Sequence, residues 1–119
     1  MEKETLDSSN KIVVVKGTIF CDVDGTLVNS GTKEPIQENI DQINKAYDDG
    51  YKIVLTTFRG NENWGANSFY NERFSLILFQ RIGLKYHQIV WNSPSPRVII
   101  NDDLVSLIKI EPNQAFIIL

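Results

Sequence analysis

Apolar positions along the chain fall into short blocks, some continuous and some spaced as on one face of a helix. Two β-branched runs come first, residues 12–15 and 18–21, with Lys16-Gly17 between them. They form either a hairpin or one bent strand, and the second ends abruptly in acidic residues. A polar stretch over 29–34 leads to Pro35, a favoured first helical residue. Ile36, Ile40, Ile43 and Tyr47 then recur at helical spacing, and Gly50 stands where a C-terminal cap belongs. Residues 51–56 read as a buried strand around Ile53, Val54 and Leu55, followed by a polar loop over 58–66. Asn67 or Ser68 caps a second predicted helix, with Tyr70, Phe74, Ile77 and Leu78 on one face and Gly83 at its end. A short strand over 88–91, a proline-rich turn over 93–96 and a buried strand over 98–100 follow, the last running into Asp102-Asp103. Residues 104–110 are too short to assign, and 116–119 read as a last strand. The first ten residues have no periodicity and are expected to fray.

Strand, helix, strand, helix, strand, with continuous apolar strands, predicts an α/β fold. The expected form is a three-layer, Rossmann-like parallel sheet with helices on both faces. One domain over 11–119 accommodates it, without repeats. In such sheets ligands bind outside the carboxyl ends of the strands. Three of those ends carry polar clusters: Asp22/Asp24, Thr56/Thr57/Arg59 and Asn101/Asp102/Asp103.

Composition narrows the classes. A net charge of −3 argues against a nucleic-acid partner, which calls for a basic face. It does not argue against an anionic substrate, because a bound metal adds positive charge that the sum omits. The single cysteine, Cys21, excludes an intrachain disulfide and fits a reducing cytoplasm. The polar N-terminus resembles neither a signal peptide nor an anchor, and no apolar run approaches the ~20 residues of a membrane span. The expectation is a soluble cytoplasmic protein, with its oligomeric state open.

Two aspartates two residues apart at a strand end crowd two negative charges. A hard divalent cation relieves this, and Mg²⁺ takes one or two carboxylates plus substrate phosphate. Asp102 or Asp103 could complete the shell from a neighbouring strand end. Gly25 permits a sharp turn that brings amides toward an anion, Thr57 offers a hydroxyl, and Arg59 or Arg97 could neutralise phosphate oxygens. Cys21 reads as a small core residue, His87 as structural or surface, and Trp91, Tyr70 and Phe74 as packing.

These residues carry a resemblance. Asp22-Val23-Asp24-Gly25-Thr26, after Ile19-Phe20-Cys21, is similar to the first motif of the haloacid-dehalogenase-like superfamily. Ile53-Val54-Leu55-Thr56-Thr57 resembles its second motif, and Val98-Ile99-Ile100-Asn101-Asp102-Asp103 its acidic fourth. The resemblance implies that Asp22 is a nucleophile forming an aspartyl-phosphate and Asp24 the general acid/base. It implies Mg²⁺ held by Asp22, the Asp24 carbonyl and Asp102, with Asp103 as the alternative ligand, and Thr57 on the phosphoryl group. The implied activity is that of a Mg²⁺-dependent phosphatase acting on a small phosphate monoester. Thr57-Phe58-Arg59-Gly60, Trp64 and Pro96-Arg97-Val98 further resemble phosphatases of bacterial surface-polysaccharide synthesis, which points to a sugar phosphate.

One motif departs from the pattern. The family's third motif is a lysine, and the corresponding Asn92-Ser93-Pro94 has Ser93 in its place. Arg97 or Lys85 is then the substitute cation. The alternative is a degenerate phosphate-binding or regulatory domain. No long insertion follows Gly25 or the second motif, so the site is expected to lack a cap domain. Gly25, Thr26, Arg59 and Trp64 are the expected substrate contacts, with Trp64 in the loop that would face the substrate.

Overall fold

The computed structural model describes residues 3–6, 12–60 and 68–118. Five strands and two helices follow in the order β1 (Lys3–Leu6), β2 (Ile12–Val15), β3 (Thr18–Asp22), α1 (Gln37–Asp48), β4 (Lys52–Thr56), α2 (Glu72–Arg81) and β5 (Gln88–Val90). β3, β4 and β5 form a parallel sheet in that order, so the expected parallel α/β architecture is present. The register sets Asp22 opposite Thr56, and Thr56 opposite Val90. Three strand ends therefore finish side by side.

The two early β-branched runs do not pair with each other. β2 takes β1 as its antiparallel partner, from Lys3↔Val15 to Leu6↔Ile12, in a separate two-stranded sheet. The polar 3–6 stretch carries no apolar signal; a strand with β2's propensity recruits whatever chain can complete its ladder.

Both helices pack on one face. Ile40, Ile43 and Ala46 of α1 and Leu78 and Phe79 of α2 share a core with Cys21, Ile53 and Leu55. Asn44 bridges the helices by donating to the Gly83 carbonyl and accepting from the Lys85 amide. Consecutive parallel strands joined by right-handed crossovers require this one-sided arrangement. The second helical layer expected from the pattern is not formed among the described residues, and Phe20 on that other face is 56% exposed.

Each helix closes in a Schellman pattern. Tyr51 N donates to Ala46 O after α1, and Leu84 N to Phe79 O after α2. α1 begins two residues after Pro35, which instead pairs with Val28. α2 is capped by Asn71, whose side chain accepts from Phe74 N, rather than by residue 67 or 68. Its buried face is Ser75, Leu78 and Phe79, leaving Phe74 and Ile77 outside.

The largest departure lies after β5. Val98–Ile100 is not a strand: Val98 is 80% exposed and Ile100 95%. A strand needs a ladder partner, and the outer edge of β3 is separated from this run by an open cavity of about 750 Å³ that Ile19, Phe20, Val98 and Ile99 line. Residues 116–118 are likewise not a strand, and Leu119 lies outside the described residues. They strap onto α1 instead: Phe116 N donates to Asn39 Oδ1 and Ile118 N to Gln42 Oε1.

Candidate active site

Asp22 is the last residue of β3, and the next five residues form a tight loop. Gly25 N donates to Val28 O, Leu27 N to Val23 O and Val28 N to Val23 O, which buries Val23, Leu27 and Val28 beneath the loop. Apolar anchors thus fix a loop whose polar residues remain at the surface. Gly25 sits at φ +83, a conformation that favours glycine, but its amide is taken by Val28 O at 2.7 Å. The amide is not turned toward an anion as expected.

Each of the two aspartates is paired with its own guanidinium. Arg97 Nη1 donates to Asp22 Oδ1 at 3.0 Å, while its Nε and Nη2 donate to the Ser93 carbonyl at 3.1 and 2.7 Å. Thr26 Oγ1 donates to Asp22 Oδ2 at 3.2 Å. Arg59 clasps Asp24 through Nε–Oδ2 and Nη2–Oδ1, both 2.8 Å. Lys85 is not near this cluster; it pairs with Asp48. Of the two cations considered for the place opposite Asp22, Arg97 is the one there.

Arg59 does not contact substrate space as expected. It is 1% exposed, its remaining Nη1 donates to Phe69 O and Ser75 Oγ, and its guanidinium lies 5.1 and 4.9 Å from the ring centroids of Phe69 and Tyr70. Thr57, directly after β4, is also buried. Its hydroxyl accepts from Arg59 N at 3.1 Å, its amide donates to Val90 O and its carbonyl accepts from Ser93 N. It joins the ends of β4 and β5 to the 91–97 turn. The threonines lining the open cavity beside Asp22 are Thr26 and Thr56, together with Ser93 and Arg97. Trp64 lies outside the described residues.

Asp102 and Asp103 are exposed, and Asp103 Oδ1 caps the Leu104 amide. No group of three His, Cys, Asp or Glu side chains converges among the described residues. The carboxylate shell expected from Asp22, Asp24 and Asp102 or Asp103 is therefore not assembled, because the run that would deliver its last member is not docked in the sheet. The donor chemistry at Asp22 still suits Mg²⁺: hard oxygens, half open to solvent, with lone pairs beyond the two used by Arg97 and Thr26.

Burial pushes the Cys21 thiol up to about 12, aided by the neighbouring Asp22 charge. Cys21 is thus a core residue beside the site and not a nucleophile.

Fold and site together define a parallel α/β protein with an acidic centre at the carboxyl edge of its sheet. Residues 19–72 match the sequence model of a family described as haloacid dehalogenase-like hydrolase. A crystal structure of an MCSG target from Vibrio cholerae is similar in fold, with a TM-score of 0.56 and 21% sequence identity. The similarity covers 75% of this chain and 82% of that one. No curated protein matches the sequence. Over residues 19–72 the chain is thus similar in sequence to haloacid dehalogenase-like hydrolases, and its fold is similar to that of the Vibrio cholerae protein. No helix among the described residues is long and apolar enough to cross a membrane.

Proposed function

We propose that this protein is a phosphatase that hydrolyses a small phosphate monoester, a sugar phosphate being the favoured class, by way of a phosphorylated Asp22. The observation that carries the reading is Asp22 at the mouth of the cavity, with Thr26 Oγ1 on one carboxylate oxygen and the Arg97 guanidinium on the other. Asp22 Oδ attacks phosphorus, the ester P–O bond breaks, and the departing oxygen takes a proton from Asp24. Water then attacks the acyl phosphate and gives its proton to Asp24, releasing inorganic phosphate and restoring Asp22. Arg97, bound to Asp22, is placed to offset phosphoryl charge as it moves.

Haloacid dehalogenase-like hydrolases generally use Mg²⁺. Asp22 and the Asp24 carbonyl are the residues that would hold it, and it would add positive charge against the phosphate oxygens. Asp102 stands apart from them in this structure.

The test is Mg²⁺-dependent release of phosphate from an aryl phosphate. Chelation should stop it, added Mg²⁺ should restore it, and Asp22→Asn should abolish it. Full activity in Asp22→Asn sinks the assignment. A second reading, a phosphate-binding domain without turnover, is favoured by Ser93 in the lysine position and by the unassembled acidic shell. Phosphate binding with no turnover across a panel of monoesters would decide for it.

A further inference from the structure

Arg59 is the one charged side chain among the buried described residues. A guanidinium is not buried without a reason, since its desolvation must be offset by full pairing. The pairing here is lopsided toward function. One end of the fork rests on Phe69 O, Ser75 Oγ and two aromatic rings, and its two other nitrogens, Nε and Nη2, both donate to Asp24. Asp24 itself is 30% exposed and follows Asp22 by two residues at the end of β3. A side chain that would otherwise rotate about two bonds is thus held in one plane by a support fixed on α2 and the 68–70 turn. The fork occupies two of the roughly four acceptor sites on the carboxylate, so the others remain available to a proton or a leaving oxygen.

We infer that Arg59 is a positioning residue that fixes the Asp24 carboxylate for proton transfer. The inference rests on the phosphatase reading above. Arg59 does not touch the substrate; it acts through Asp24. Lysine cannot replace it, because an ammonium is a single point of charge and lacks the planar fork. The pair joins strand-end loops 35 residues apart, so the acid/base is aligned only once β3, β4 and α2 have packed.

The experiment compares wild type, Arg59→Met, Arg59→Lys, Asp24→Asn and the double variant Arg59→Met/Asp24→Asn. Each is assayed on phenyl phosphate, whose leaving group needs a proton, and on 2,4-dinitrophenyl phosphate, whose leaving group does not. The parameter is kcat/KM, which reports transfer to Asp22, the step in which the leaving group departs. Loss of general acid catalysis is worth ~10²–10⁴-fold. Arg59→Met and Arg59→Lys should each lose ~10–100-fold on phenyl phosphate, a part of that, and less than ~5-fold on the dinitrophenyl ester. In the Asp24→Asn background Arg59→Met should cost nothing further on either ester, and the double variant leaves neither charge of the pair without a partner.

Equal losses on both esters in the single variants would make Arg59 a merely structural bolt and overturn the inference. So would full activity in Arg59→Lys, or additive losses in the double variant. Failure of the phosphatase reading looks different: wild type releases no phosphate from either ester, and the inference falls with it.

Discussion

Replacing Asn39 tests whether a single buried amide holds the active-site loop to the rest of the domain. Asn39 is wholly buried in the first turn of α1. Its Nδ2 donates to Thr26 O and Gln114 O, both at 2.8 Å, and its Oδ1 accepts from Phe116 N at 2.9 Å. One side chain thus ties the loop after β3, the start of α1 and the C-terminal strap. Asn39→Ala leaves two carbonyls and one amide without that partner. At a net ~1 kcal/mol per hydrogen bond, and more for each group left dry, the loss should be about 3–4 kcal/mol. A domain of this size has a total stability of only ~5–15 kcal/mol. With a urea slope of ~1–3 kcal/mol/M, the unfolding midpoint should fall by about 1–3 M. Asn39→Asp should be worse at neutral pH, because it points a carboxylate oxygen at two carbonyl oxygens and buries a charge. Lowering the pH should narrow the gap between Asp and Ala variants, since a protonated carboxyl recovers one donor. Urea unfolding followed by tryptophan fluorescence measures both. An Asn39→Ala midpoint within about 0.3 M of wild type, or an Asp variant as stable as wild type at pH 7, would refute the reasoning.

Three further outcomes are expected. Arg97→Ala should lower kcat/KM by ~10²–10³-fold, as removal of a donor to developing charge does, while Lys85→Ala should leave it within twofold; the reverse ranking in a phosphate-release assay would identify Lys85 as the working cation. Gly60 sits at φ +78, and a Cβ there would meet Trp91 Cε3 at 2.9 Å and Glu72 Cγ at 3.0 Å. Because the positive φ strains any side chain and Trp91, stacked on Phe79, would have to shift, Gly60→Ala should destabilise by about 2–4 kcal/mol in urea unfolding, and an unchanged midpoint would contradict this. Cys21 should resist iodoacetamide at pH 8 in the folded protein and react once unfolded. Its folded-state value near 12 exceeds the unfolded 9.0, so its contribution to stability is complete below pH 9 and lost as pH rises toward 12. The stability difference between wild type and Cys21→Ala should therefore shift against wild type above pH 9, by up to ~1.4 kcal/mol per pH unit.

Much of the sheet is legible in the sequence because its strands are continuous apolar runs bounded by polar turns, and 18–21, 51–56 and 88–91 each become strands within a residue or so. The face of α2 is misread for an instructive reason. Hydrophobic periodicity picks Phe74 and Ile77, yet the helix turns Ser75 inward, where its hydroxyl accepts from Arg59 Nη1. A polar residue buried to satisfy a distant guanidinium leaves no trace in a hydrophobic pattern. Arg59 is hidden in the same way. In a polar loop after a strand Arg59 reads as a substrate contact; the signal that could have found its buried role is Asp24 at the adjoining strand end. The 98–100 run fails in the opposite direction. Its apolarity argues for burial, but a strand also needs a neighbour with free backbone groups within reach, and composition says nothing about that distance.

The charge argument at the site changes most. From sequence, two aspartates in close succession demand a cation, and a divalent metal is the economical answer. In the folded chain the demand is met by two guanidiniums from separate segments, Arg97 beyond β5 for Asp22 and Arg59 beyond β4 for Asp24. The pairs differ in kind: Arg59 is sealed in the core, whereas Arg97 lies at the rim of the cavity and donates to the Ser93 carbonyl and Asp22. The carboxylates are balanced before any metal arrives, so their crowding is no longer the reason to expect one. The remaining reason is the substrate. On the proposed reading, a phosphate monoester brings about two negative charges to Asp22, and the single charge of the rim arginine is already matched by that carboxylate. Mg²⁺ at Asp22 would answer the charge of the phosphoryl group, not the charge of the protein. Wild type should accordingly keep its folded stability on chelation and lose only turnover.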